Sequence, residues 1–279
     1  MALTLTKPKK KVKKAITSFR VRLRTRNFTA EALREKLYTT FFPKLAVVRL
    51  GSLTPVEEIT GIRDVIEINK PEAIETSRDK LLMMEAFTQN KVKTPEWCKA
   101  TDEEIIKTLK FPLVCKSRTG QGGAGNTLVS NQEELNKWKT GKTLSNYIIT
   151  KYKAFSREYR LHVTEDGCFL AWRKMRKSDA KERWYFNNDN CVWIGEDNPL
   201  FDKPINWDEC IQQSVLALKS SGLNIGAVDL RIQSAKDENG NKRNTCDLAL
   251  MEINSAPSLG EKGSEFYYKE IVKLINKKL

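Results

Sequence analysis

One histidine, His162, stands in 279 residues, so zinc sites built from histidine clusters are excluded and any Ser-His or Cys-His mechanism hangs on a single side chain. Its setting, Arg160-Leu161-His162-Val163, reads as a strand and assigns it a structural role. The six cysteines, Cys98, Cys115, Cys168, Cys191, Cys210 and Cys246, contain no C-x-x-C pair, a usage that suits a reducing cytosol and predicts a cytoplasmic protein. No uninterrupted apolar run is long enough to span a bilayer, and no membrane partner is expected. The lysines near the N-terminus lack an adjoining apolar h-region, so a secretory signal is not expected, although a basic and acid-poor start has the look of a transit peptide. At this length, with 40% hydrophobic residues, the chain can bury a substantial core in one large domain or two or three small ones.

Acidic residues are scarce at the start. Residues 1–50 hold fourteen Lys and Arg against Glu31 and Glu35, a balance of +12 out of the chain's +14. Lys7-Pro8-Lys9-Lys10-Lys11-Val12-Lys13-Lys14 reads as a solvated arm, and Arg20, Arg22, Arg24 and Arg26 alternate as an extended segment would present them. Residues 7–26 are thus a candidate contact for nucleic acid or an acidic protein, by counterion release and without sequence specificity.

What is present lies further along. Asp229 and Glu252 sit inside the apolar runs Val228-Asp229-Leu230 and Leu248-Ala249-Leu250-Met251-Glu252-Ile253-Asn254. Isolated buried carboxylates are costly. Asn254 follows Glu252 at the two-residue spacing that shares one face of a strand, and three oxygen ligands on adjacent strands suit Mg²⁺ completed by nucleotide phosphates. Upstream, Phe111-Pro112-Leu113-Val114-Cys115-Lys116 leads through Gly120, Gly122, Gly123 and Gly125 to the strand-like Asn126-Thr127-Leu128-Val129-Ser130. Gly120, Gly122 and Gly125 match G-x-G-x-x-G, yet a strand follows where the dinucleotide motif needs a helix, and no G-x-x-x-x-G-K-[ST] occurs. The remaining reading is a glycine hairpin whose N–H groups close over phosphates, with Lys116 as a point charge beside them.

The ordered set Ser77-Arg78-Asp79-Lys80, Lys116 with its glycine loop, Arg157-Glu158-Tyr159-Arg160, Ala227-Val228-Asp229 and Glu252-Ile253-Asn254 resembles the ATP-grasp ligases, and within them the RimK-like branch that joins amino acids to carboxylates. The resemblance covers residues 70–279. The abbreviated N-terminal unit and basic arm resemble ATP-grasp proteins encoded by some tailed phages. It implies an α/β (α+β) fold of two subdomains gripping ATP: a basic arm at 1–26, an abbreviated pre-grasp unit at 27–70, a first subdomain with the glycine flap at 71–150 and a second with the metal and ATP site at 151–279. By resemblance, Lys80, Lys116, Gly120, Gln121, Gly122 and Gly123 meet ATP phosphates, while the backbone of Thr150, Lys151 and Tyr152 meets adenine. Arg160 faces the triphosphate, and Arg173 and Lys174 approach the phosphoryl group being transferred. Asp229, Glu252 and Asn254 hold Mg²⁺, or Mn²⁺ in its place.

Three positions depart from the pattern. Lys151 stands where RimK-like chains commonly place Glu, leaving Glu158 as the substitute for ribose recognition. Trp184-Tyr185-Phe186-Asn187-Asn188 occupies the place of an Arg-x-Asn segment without its arginine, the usual bidentate clamp for a carboxylate, and leaves Asn187 or Asn188 to reach metal or substrate. The pre-grasp unit offers only a helix at 29–37 and strands at 44–52 and 64–68. Elsewhere, helices are expected over 71–90, 131–140, 207–221 and 266–274, and hairpin turns at Asp166-Gly167 and at 237–241.

These parts together imply transfer of the γ-phosphoryl group to a carboxylate, attack of an amine on the acylphosphate, and release of ADP and phosphate. Two other classes stay open. One is a nucleotide-binding module that does not ligate and binds nucleic acid or an acidic partner through the basic arm. The other is a small-molecule kinase, although neither His-Arg-Asp nor Asp-Phe-Gly occurs.

Overall fold

Alternation of apolar and polar side chains builds the central sheet. In the computed structural model, residues 32–37, 46–55, 66–120, 123, 125–180, 184–187 and 190–278 are described. The basic arm, Gln121, Gly122 and Asn188 lie outside them. Eleven strands form three sheets among the described residues. The largest orders β11 (Leu248–Asn254), β10 (Ile225–Ile232), β7 (Arg157–Thr164), β8 (Gly167–Arg176) and β9 (Cys191–Gly195), antiparallel throughout. The second orders β3 (Trp97–Lys99), β6 (Tyr147–Lys151), β4 (Leu113–Ser117) and β5 (Thr127–Val129). The third pairs β1 (Ala46–Val48) with β2 (Ile66–Ile68) in parallel.

On the five-stranded sheet, Tyr159, Leu161 and Val163 of β7 and Val228, Leu230 and Ile232 of β10 enter one core with Ala217 and Leu218 of helix α5 (Trp207–Ser220). The intervening Glu158, Arg160, Asp229 and Arg231 therefore share the opposite face, as a period of two requires. Gly222, at φ +74°, ends α5 in the left-handed region that glycine adopts without penalty. The closing helix α6 (Gly260–Lys278) is longer than 266–274 and covers one end of the polar face. There His162 is neutral: burial and the nearby Arg160 push its imidazole down to about 3, and Nδ1 lies 3.0 Å from the Tyr267 hydroxyl. Its structural reading holds.

The expected helix over 71–90 is two helices, α1 (Pro71–Arg78) and α2 (Lys80–Gln89). Asp79 breaks it, because its backbone is extended and its carboxylate accepts from Leu81 N at 2.8 Å as the cap of α2. Helix α3 (Glu103–Thr108) follows β3, and α4 (Gln132–Lys139) follows β5. Asn131 caps α4 by accepting from Glu134 N at 2.9 Å, and Glu134 Oε2 reaches back to accept from Ser130 N, one residue before the cap, at 2.8 Å.

The β1–β2 pair is tethered by Asn69, buried at a positive φ of 58°. Its Nδ2 donates to Arg49 O at 3.2 Å and Ile225 O at 2.9 Å, and its Oδ1 accepts from Asn224 N at 2.8 Å and Ile225 N at 3.2 Å. Asn also tolerates the left-handed backbone better than most residues. Asn69→Ala is expected to cost about 3 kcal/mol, since several buried backbone groups lose their partner at once. A urea denaturation midpoint equal to that of the wild type would refute this.

Candidate active site

The glycine hairpin forms as strand, loop and strand. β4 pairs antiparallel with β5, and Gly123 (φ +80°) and Gly125 (φ +77°) take backbone conformations that other residues rarely adopt. On β4, Leu113 and Cys115 enter the core beneath α4, so Lys116 turns to the opposite face, towards the five-stranded sheet. Lys116 is 8% exposed. Burial, then Arg231 and Lys80, push its ammonium down to about 8 against the pull of Glu252 and Glu158. Lys80, at the first turn of α2, donates its Nζ to Gly120 O, and burial lowers its pKa against the pull of Glu252 and Asp79. The two lysines and Glu252 thus lie within electrostatic reach of one another although they come from three separate elements.

Arg118 completes this junction. Its Nε donates to both Asp79 oxygens at 3.0 and 3.1 Å, and its own carbonyl accepts from Lys80 N at 2.9 Å. The pair ties the start of α2 to the glycine hairpin and fixes where Lys80 points. Sequence reading missed Arg118, although its place one residue beyond β4 beside the loop was a signal.

Across the gap, the polar face carries a ladder of charges. Arg160 Nε and NH2 donate to Asp229 Oδ1 and Oδ2, each at 2.7 Å. Lys174 Nζ donates to Glu158 Oε1 at 2.6 Å and to Asp229 Oδ2 at 3.0 Å, and Arg231 Nε donates to Glu158 Oε2 at 2.8 Å. Burial pushes the Asp229 carboxyl upward, but Arg160 and Lys174 outweigh it and hold the group below the usual carboxylate range. Burial likewise lowers Lys174, and Asp229 and Glu158 outweigh it to leave its pKa raised. Arg231 was legible in retrospect, two residues after Asp229 on the same strand face.

Asp229 stands directly opposite Glu252, and Asn254 Nδ2 donates to Glu252 Oε1 at 3.3 Å, so the three oxygen-bearing residues do come together. They offer the hard donor set that fits Mg²⁺ or Mn²⁺. Arg160 and Lys174 already engage both oxygens of Asp229, so the openings for a cation are Glu252 Oε2 and Asn254 Oδ1. Among the described residues no three His, Cys, Asp or Glu side chains form a ready metal cage.

The structure corrects four expectations. Arg173 alternates with Lys174 and so leaves the polar face; its NH1 donates to Leu200 O at 2.7 Å and pairs with Asp202. Thr150 and Lys151 lie on β6, one of the two inner strands of its sheet, with β4 and β3 on either side. Lys151 N donates to Glu96 O at 2.8 Å and Tyr152 N to Pro112 O at 3.0 Å, so neither N–H is available to adenine, and the Lys151 ammonium meets Glu96 at 2.8 Å. Glu158 is 4% exposed with both oxygens held by Lys174 and Arg231, which removes it as a ribose acceptor. Asn187 Oδ1 accepts from Asn190 N at 3.0 Å, a turn contact in place of a ligand role.

Comparison with protein-family models and with curated proteins gives no match. Solved structures do match. D-alanine–D-alanine ligase from Bacillus anthracis complexed with ATP is 14% identical, with a TM-score of 0.56 over 83% of this chain and 78% of that one. VanG D-Ala:D-Ser ligase from Enterococcus faecalis is 16% identical, with a TM-score of 0.58 over 82% of this chain and 72% of that one. The ATP-grasp ligase PsnB complexed with minimal precursor is 14% identical, with a TM-score of 0.55 over 82% and 78%. At these identities the likeness concerns the backbone, and the chain has the ATP-grasp fold.

Proposed function

We propose that the protein is an ATP-dependent ligase that joins a carboxylate to an amine and releases ADP and phosphate. The observation that carries this reading is the convergence of half-buried Lys80 and buried Lys116 with Glu252 beneath a glycine hairpin, in a fold shared with ligases. A buried ammonium such as Lys116, and a second one partly withdrawn from water beside it, are costly with no carboxylate in hydrogen-bond contact unless a polyanion completes them. A triphosphate is such a group, and the hairpin N–H groups add donors.

Glu252 and Asn254, with Asp229 beside them, would hold Mg²⁺, which when bound neutralises charge on the β- and γ-phosphates. Lys80 and Lys116 hold the polyphosphate and orient its γ-phosphorus. A carboxylate oxygen of the substrate attacks that phosphorus, the bond to ADP breaks, and an acylphosphate forms. The amine then attacks the acyl carbon, loses its proton, and phosphate departs. Arg160 and Lys174 set the potential of this face, while positioning and exclusion of water supply most of the rate. The RimK-like branch is the finer assignment, supported by the motif order from Asp79-Lys80 to Glu252-Ile253-Asn254. Nothing in the described residues favours the kinase or the non-ligating module over this reading.

Calorimetry with ATP and Mg²⁺ tests it. Saturable binding is expected in the wild type, with affinity reduced roughly tenfold in Glu252→Gln, followed by ADP release only when carboxylate and amine are both added. Absence of nucleotide binding by the wild type would end the proposal.

A further inference from the structure

The wall beside the glycine hairpin is aromatic. Trp184 and Tyr185 stand half-buried with ring centroids 4.6 Å apart and planes at 56°. Their main chain is pinned on both residues: Arg231 NH1 donates to Trp184 O at 3.1 Å, and Asn190 Nδ2 donates to Tyr185 O at 3.0 Å. Asn190 is itself locked to Asn187 by reciprocal bonds of 3.0 Å. The Tyr185 ring reaches the hairpin, because a Cβ at Gly123 would stand 3.4 Å from Tyr185 Cδ2. The pair therefore spans the space between the loop that closes over phosphates and the charged ladder that Arg231 belongs to.

The cations behind this wall are committed. Arg160 and Lys174 hold Asp229, Lys174 and Arg231 hold Glu158, and the Trp193 ring covers Arg160 at 4.8 Å and Lys174 at 5.1 Å. Phe186 covers Arg231 in the same way at 5.0 Å. Adjacent rings on a fixed backbone stack flat groups with little loss of conformational entropy. They give no bidentate grip to a second carboxylate, which needs a guanidinium fork.

We propose that the non-nucleotide substrate presents a planar aromatic or heteroaromatic group to Trp184 and Tyr185, and that acidic amino-acid side chains are poor occupants of this subsite. The inference rests on the ligase reading above and names the substrate class for it. An aromatic ring stacked here would place a carboxyl or amino group attached to it beside the phosphate loop at Gly123.

The test uses the full chain saturated with Mg²⁺ and a non-hydrolysable ATP analogue, with indole-3-acetate, tryptamine and glutamate as probes in saturation-transfer NMR. Saturable binding of at least one indole is expected, weakened tenfold or more by Trp184→Ala and by Tyr185→Ala but kept by Tyr185→Phe. Affinity for the ATP analogue should stay within twofold in all three variants, which shows that they fold. Glutamate binding as tightly as the indoles, or indole binding indifferent to Trp184→Ala, would overturn the inference while leaving the ligase reading intact. Failure of the wild type to bind the ATP analogue would overturn both.

Discussion

Glu158→Ala is expected to lower the free energy of unfolding by about 3–5 kcal/mol, the cost of leaving buried charges without their partner. Glu158 is 4% exposed and holds two cations, Lys174 at 5% and Arg231 at 6%. Total stability for a chain of this kind is of order 5–15 kcal/mol, so one truncation removes a large share of it. Glu158→Gln should fall between, since it keeps one acceptor but turns an amide N–H₂ towards a cation. A combined replacement of Glu158, Lys174 and Arg231 by Leu, Met and Leu should regain much of the loss, because the desolvation penalty of all three charges disappears with them. Guanidinium denaturation of the set decides the matter: a single variant as stable as the wild type would mean that the ladder contributes nothing net. The same experiment separates fold from function, as the triple variant would be stable while the polar face loses three of its charges.

Lys116→Met is expected to weaken ATP binding about 100-fold or more, the loss of a charge-assisted contact in a buried site. Its effect on the empty protein should be opposite in kind. The buried ammonium is pushed down to about 8, from an ordinary 10.5, so it costs stability in the folded state, and Met fills its volume without that cost. The signs with pH follow. The unfolded chain binds more protons than the folded one between about 8 and 10.5, so Lys116 makes stability rise with pH across that window, and Lys116→Met should flatten the rise. Nucleotide binding runs the other way, because a triphosphate favours the protonated ammonium: affinity should fall as pH climbs through 8, with net proton uptake on binding near pH 8.5. Calorimetry in two buffers of different ionisation enthalpy measures that uptake directly. Equal heats in both buffers for the wild type would remove Lys116 from the phosphate site.

Much of the polar face was legible from residue order alone. Asp229, Glu252 and Asn254 stood out because carboxylates inside apolar runs need partners, and the structure brings them together. The glycine hairpin announced itself by a strand where a helix would otherwise begin, and β4 and β5 bear that out. The alternation Glu158-Tyr159-Arg160-Leu161 already separated a polar face from a core face. Arg173 and Lys174 defeated the same logic, because adjacent residues cannot both face the site and only one of them, the buried Lys174, does. Thr150 and Lys151 show another limit: a strand's sequence does not say whether it lies at an edge, and β6 lies inside its sheet, where the Lys151 N–H is already taken.

Composition, period and turn chemistry by themselves determined many of the elements of this protein, though not the break at Asp79 or the length of the closing helix. They determined that charges would line one side of β7 and β10, that a helix would open near residue 131, and that Lys116 would turn away from Leu113 and Cys115. The tertiary structure alone decided how those faces meet. Leu248 and Leu250 enter the core, and an unbroken strand would have carried Glu252 in with them at the same spacing. The ladder shifts register between Leu250 and Glu252, and the extra residue, Met251, turns the strand so that Glu252 lies opposite Asp229 on the polar face. No pattern within β11 specifies that bulge. It is fixed by pairing with β10 across the long connection from Ile232 to Leu248, where the cost of burying a carboxylate among leucines is weighed against one unpaired residue in the ladder.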